Sequence, residues 1–269
     1  MAALSAIRDQ LEYILNIPSG DAFIDSQNEL DLINLAYQKS AYKYNWPHML
    51  KRGGTVLAAS VNRYSLPTAW RKFDYVFSEG DLKEETSLEN IRFSSHKYAV
   101  DVNTSEIILS ESPQSASTAY TTSNSETAGA SVVIELNSVS GLSAGDEIFV
   151  NGTTTPEFSQ IQSVDTTNTT ITAKLSTNTT AGDKIYLSSQ ILAYGFYREV
   201  TNLSATTDVP LLPSATHYII PYYAAYLYFK KLEDEARAKL NLEIWTDELN
   251  DAWLAHDKIS SGASNEFSL

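Results

Sequence analysis

The sequence predicts an α+β fold. Helices from the N- and C-terminal ends form a helical bundle carrying a β region, and a small all-β barrel or sandwich domain is inserted into that frame. Three observations predict this. Apolar residues recur at helical spacing at both ends of the chain. Short strand-like runs punctuated by turn residues fill the interior. A Ser/Thr-rich zone, with Lys174 and Lys184 as its basic residues, changes the texture between about 112 and 189. The expected division is therefore 1–111 with 190–269 as the outer domain and 112–189 as the insert.

The first helix is expected over Ala3–Asn16, with Leu4, Ile7, Leu11 and Ile14 on one face and Pro18 and Gly20 ending it. Ser26-Gln27-Asn28-Glu29 has the form of a capping box and opens a second helix. Its stripe is Leu30, Ile33, Tyr37, Ala41 and Tyr44, and it stops at Trp46-Pro47 because the residue before proline avoids the helical region. Gly53-Gly54 reads as a turn leading into strands at 55–58, 63–66 and 73–77. Asn103-Thr104 separates the two arms of a hairpin, 97–102 and 106–109. Trp46 and Trp70 are placed where the helix pair would pack on the sheet.

The insert holds about five short strands: 132–136, 147–150, 161–164, 170–175 and 184–187. Two of them follow a repeated pattern, Ala-Gly-Asp-(Glu/Lys)-Ile-(Phe/Tyr)-(Val/Leu), at 144–150 and 181–187. The outer domain resumes with an aromatic strand over 190–200 that is apolar on both faces and therefore covered on both. Asp208 to Pro213 turns the chain into a helix over 214–232, where Pro221 demands a kink or a later start. A final helix over 234–257 aligns Leu242, Trp245, Leu249 and Trp253, and 260–269 reads as an exposed tail.

Composition removes several chemistries. The 269 residues contain no cysteine, so thiol nucleophiles, disulfides and Cys-ligated metals are excluded. The 33 acidic against 19 basic residues give a net charge of −14, which argues against gripping phosphates and fits DNA sliding past an acidic wall. No apolar run reaches the roughly 20 residues of a membrane span, and the first residues lack a signal-peptide pattern, so a soluble chain made in a cytosol is expected. His48, His96, His217 and His256 are too dispersed for a metal motif, and no phosphate loop, GxGxxG or GxSxG occurs. Asp81, Glu84 and Glu85 read as a solvated loop. The Asn-x-Ser/Thr triplets at 103, 151, 168 and 178 reflect composition. No catalytic, cofactor-binding or metal-binding residue is assigned.

Aromatic residues carry more information. From Tyr218 to Phe229 they fall on every side of a helix, so one side enters the core and the rest needs another cover. A subunit interface is expected there, comprising Tyr218, Tyr222, Tyr226 and Phe229, with Trp245 and Trp253 from the last helix. Arg63, Arg71, Lys72 and Arg92 could pair with acids of a neighbour. A competing reading makes the insert a receptor- or glycan-binding module that stacks sugars on Phe149, Phe158 or Tyr186.

Three stretches carry a family resemblance: Leu30 through Ala36-Tyr37 to Asn45-Trp46-Pro47; Tyr64-Ser65-Leu66-Pro67 with Trp70-Arg71-Lys72; and Asp208-Val209-Pro210-Leu211-Leu212-Pro213 leading into the Tyr-rich helix. In these the chain resembles the head-to-tail adaptor (connector) proteins of tailed bacteriophages, of the tail tubular protein A type. The resemblance covers about the first 110 and last 80 residues and leaves the insert outside it. It implies a virion protein at the capsid–tail junction, assembled in the host cytoplasm as a ring, usually of twelve copies. Its partners would be the portal protein, a tail or nozzle protein, and double-stranded DNA passing through without specific binding. It further implies portal contact by the C-terminal segment, here Lys258, Phe267 and Leu269.

Overall fold

A computed structural model of the chain describes residues 3–17, 26–152 and 156–263, with side chains as far as 255. Its elements in chain order are α1 (Leu4–Leu15), α2 (Ser26–Lys43), β1 (Leu50–Val56), β2 (Arg63–Ser65), β3 (Trp70–Ser78), β4 (Asp81–Glu85), β5 (Lys97–Asp101), β6 (Glu106–Leu109), β7 (Tyr120–Thr121), β8 (Gly129–Glu135), β9 (Glu147–Asn151), β10 (Glu157–Asp165), β11 (Thr170–Leu175), β12 (Lys184–Leu187), β13 (Ile191–Arg198), α3 (Ile220–Lys231) and α4 (Glu235–Ala263). The chain divides into two compact units, 1–50 with 199–269 and 51–198.

The expected helical-bundle framework is not what forms. Among the described residues thirteen strands in two curled sheets outweigh four helices, and the architecture is mostly β. The sequence reading catches only the end of β1 and misses β4 and the two-residue β7. Gly53 and Gly54 lie inside β1 rather than in a turn, because a side chain there has no room. A Cβ on Gly53 would come within 2.5 Å of the Tyr194 ring, and one on Gly54 within 2.7 Å of Ile191. The acidic run at 81–85 is β4, not a loop; it extends the sheet by pairing antiparallel with β3 and parallel with β5. With those strands in place, 51–111 and β13 close a sheet ordered β1-β13-β3-β4-β5-β6-β2. That sheet has its own core of Leu57, Tyr64, Phe73, Val76, Tyr98, Ile107, Leu109, Leu192, Tyr194 and Phe196.

The second sheet, β7-β12-β9-β10-β11-β8, encloses a separate aliphatic core centred on Ile134, Ile148, Ile161, Ile171 and Ile185. The repeated Ala-Gly-Asp pattern has a structural meaning here. Asp146 accepts the Ser143 N–H and Asp183 the Thr180 N–H, each at 2.8 Å, which shapes the turn before β9 and before β12 alike. Those two strands then pair antiparallel. Phe149, Tyr186, Ile191 and Ala193 join the two sheets in a small shared core.

In the other unit α1 buries Leu4, Ile7, Leu11 and Leu15, so its stripe ends on Leu15 rather than Ile14. A side-chain network ties α2 to the returning chain: Asn34 bonds both backbone groups of Leu203, and the Tyr37 hydroxyl accepts the Leu211 N–H at 2.7 Å. Pro221 resolves as a later start. Residues 214–219 form a 3-10 turn, and α3 begins at Ile220 with the proline in its first turn, where no N–H is needed. α4 continues to Ala263, several residues into the stretch read as a tail.

Candidate assembly surface

Helix α3 sits at the centre of its unit, packed by α1, α2 and α4. Ala224 and Ala225 let neighbouring backbones come close, and Ile220, Pro221 and Phe229 are buried. The tyrosines fill the remaining sides and are half-buried: Tyr222, Tyr223, Tyr226 and Tyr228. Tyr223 packs on Trp245 with ring centroids 4.6 Å apart. The chain itself therefore covers most of what the sequence marks as surplus aromatic surface.

The residues expected at an interface separate accordingly. Phe229 is 2% exposed, and the Arg237 guanidinium lies 4.7 Å from its ring centre. Trp245 is buried and donates its indole N–H to the Ser40 hydroxyl at 2.9 Å, which in turn donates to the Ala36 carbonyl. Both belong to the core of the unit and present no face to a neighbour. Trp253 is half-buried, stacked on Tyr44 and edge-on to Trp46. Tyr218 is exposed and donates to Glu248 at 2.8 Å; Tyr226 accepts from Lys230. Lys258 lies in α4 beyond the described side chains, and Phe267 and Leu269 lie outside the described residues.

Trp46 is fully buried among Tyr44, Trp253 and His48, while Trp70 leans on Phe73 in the β unit. Each packs within its own unit. Arg63 pairs with Glu106 at 2.8 Å within its own sheet, and Arg71 lies over Tyr197. Lys72 and Arg92 are exposed. Phe149 and Tyr186, offered for sugar stacking, are buried in the core shared by the two sheets, with Phe158 packed beside them.

Sequence reasoning missed the surface leucines. Leu35 (54% exposed) on α2 and Leu232 (48%) after α3 flank a groove of about 320 Å³, lined also by Leu32, Asp31, Tyr228 and Lys231. On α4 the buried positions are Ala238, Asn241, Trp245 and Leu249. At ~100° per residue, Leu240 (55%) and Leu254 (53%) fall on the opposite side, with Glu243, Asp247 and Asp251 exposed between them. The two leucines stand four turns apart, about 21 Å along the axis. Leucines off the buried stripe of an amphipathic helix were the available signal.

No protein-family model matches this chain, and no curated protein matches it either. Among the described residues no helix is long and apolar enough to cross a membrane, and no three His, Asp or Glu side chains converge to hold a metal ion.

Proposed function

We propose that the chain is a non-catalytic structural protein that assembles head to tail into a ring, as the adaptor at the capsid–tail junction of a tailed phage. One observation carries the reading. The helical unit presents two different apolar features: a leucine-lined groove between α2 and α3 that includes Lys231, and an acidic face on α4 bounded by Leu240 and Leu254. Ring closure needs two unlike, complementary faces on every copy. Here leucine meets leucine-lined groove, with Lys231 at the groove as a partner for an α4 carboxylate beside its own Asp31. The three sequence stretches that resemble the connector family supply the context. A charge of −14 per copy fits a wall along which duplex DNA slides. The portal above and a tail or nozzle component below are the partners this role requires.

The test is the mass of the species formed by the full chain alone and with the portal ring encoded beside it, measured by mass photometry. A discrete complex with about a dozen copies is expected, and Leu254→Asp or Leu35→Asp should abolish it while leaving thermal unfolding unchanged. A monodisperse monomer under both conditions, up to high concentration, refutes the proposal.

A further inference from the structure

The β unit contains a recess that the adaptor reading does not use. Tyr75 and Phe77 stand on the same face of β3, their rings edge-to-face with centroids 5.6 Å apart. Directly across on β13 stand the smallest partners available, Gly195 opposite Tyr75 and Ala193 opposite Phe77. A Cβ at 195 would lie 2.4 Å from the Tyr75 ring, so the glycine is what lets that ring settle onto the sheet. The result is a trough with aromatic walls and a low floor. Phe77 keeps 36% of its surface exposed.

Arg52 and Glu147 close one end of the trough. The guanidinium meets the carboxylate through two bonds, 2.7 and 2.9 Å, and its carbon lies 4.3 Å from the centre of the Phe158 ring. The hydroxyl groups of Ser188 and Ser189 and the turn at Gly80 complete a recess of about 380 Å³. That size lies at the lower end of the roughly 300–1,000 Å³ typical of small-molecule sites.

We infer that this recess binds a neutral pyranose, free or as a unit of a glycan. The reasoning is chemical complementarity. A sugar ring presents an apolar C–H face, suited to the exposed aromatic walls, and a rim of hydroxyls. Those hydroxyls need donors and acceptors in fixed positions. The guanidinium has five N–H donors, of which two go to Glu147 and another engages the Tyr75 hydroxyl, and the Glu147 carboxylate, which also accepts from Ser188, has lone pairs beyond those bonds. Because the pair is locked on itself and sandwiched against Phe158, it is preorganised, and little ordering entropy is lost on binding. It is also neutral as a pair. An anionic ligand would meet Glu147 and a cationic one Arg52, with no third charge lining the recess to favour either. The inference is independent of ring assembly: it concerns another unit and does not require a neighbour.

Saturation-transfer NMR on the full chain tests it, using the methyl glycosides of glucose, galactose, mannose and N-acetylglucosamine at millimolar concentration, with sialic acid as the charged comparison. Transfer to the ring C–H protons of at least one neutral glycoside is expected. Phe77→Ala should reduce it at least fivefold. Ser189→Tyr, a change at an exposed position that fills the recess, should do the same with unchanged thermal unfolding. No transfer from any neutral glycoside overturns the inference. So does transfer that survives both substitutions, which would place binding elsewhere, or a preference for sialic acid.

Discussion

Phe229 and Leu232 sit three residues apart at the end of α3, yet the structure assigns them opposite roles. Phe229 is enclosed by Tyr228, Arg237 and the helices around it. Leu232 is half exposed beside the groove. Truncating a buried phenylalanine to alanine costs about 3–5 kcal/mol, because the lost transfer energy is joined by that of an unfilled cavity. Against a total stability of roughly 5–15 kcal/mol this is severe. It corresponds to a fall in the unfolding midpoint on the order of 10–20 °C. Leu232→Ala removes side-chain atoms that water already reaches, and the expected change is within about 0.5 kcal/mol. Circular dichroism melts of the two variants in parallel, followed by mass photometry of whichever remains folded, read both effects. Leu232→Ala should melt like the parent and assemble poorly, whereas Phe229→Ala should melt at a clearly lower temperature. A Phe229→Ala protein that melts like the parent but fails to assemble would reverse the assignment and return Phe229 to an interface.

Three further outcomes are expected. Gly195→Ala should lower the unfolding midpoint and displace the Tyr75 ring, visible as lost glycoside transfer, since the new methyl has no room beneath the ring. Ser40→Ala and Trp245→Phe should each destabilise by about 1–3 kcal/mol, and the double variant by clearly less than the sum, because the two side chains share one buried hydrogen bond. Arg52 holds the Glu147 carboxyl below its ordinary value of 4.5 by hydrogen bonding. A depressed carboxyl contributes stability above its unfolded value and loses it as pH falls through the folded one. Unfolding measured from pH 7 downwards should therefore lose this contribution below about pH 4.5. Glu147→Gln should remove that part of the slope, at most about 1 kcal/mol because the pair is partly solvated.

How legible the fold was depends on what each residue type signals locally. Leu4, Ile7 and Leu11 announce α1 because helical periodicity is a property of the segment itself, and the Asn103-Thr104 hairpin is equally self-contained. β1 and β4 are not. Gly53 and Gly54 belong in a strand only because Tyr194 and Ile191 arrive from β13, about 140 residues later. Asp81–Glu85 is a strand only because β3 and β5 flank it. Glycine and charge read locally as breakers, so the first part of β1 and the whole of β4 go unread, and with them the dominance of the sheets. The same logic governs the assembly surface. An aromatic-rich helix and a helix that must meet a partner look alike in one dimension, and α3 proves to be the element its own chain surrounds.

What distinguishes a docking face is the side chain left over after the core is satisfied. By that criterion Leu240 and Leu254 stand apart. Trp245 and Leu249 already supply the packing of α4 against the rest of its unit, and the two leucines on the far side add nothing to it. Exposed leucines kept singly are ordinary. Two of them four turns apart, in a unit whose α2–α3 groove is lined by three leucines with Asp31 and Lys231 beside them, form a matched pair of apolar surfaces. Leu240→Asp with Leu254→Asp should therefore leave the melting curve in place and keep the chain monomeric in the presence of the portal. Retention of the full complex by that double variant would show that the Leu240–Leu254 side of α4 faces solvent in the assembly, and the ring contact would then have to be sought around Tyr218 and Trp253.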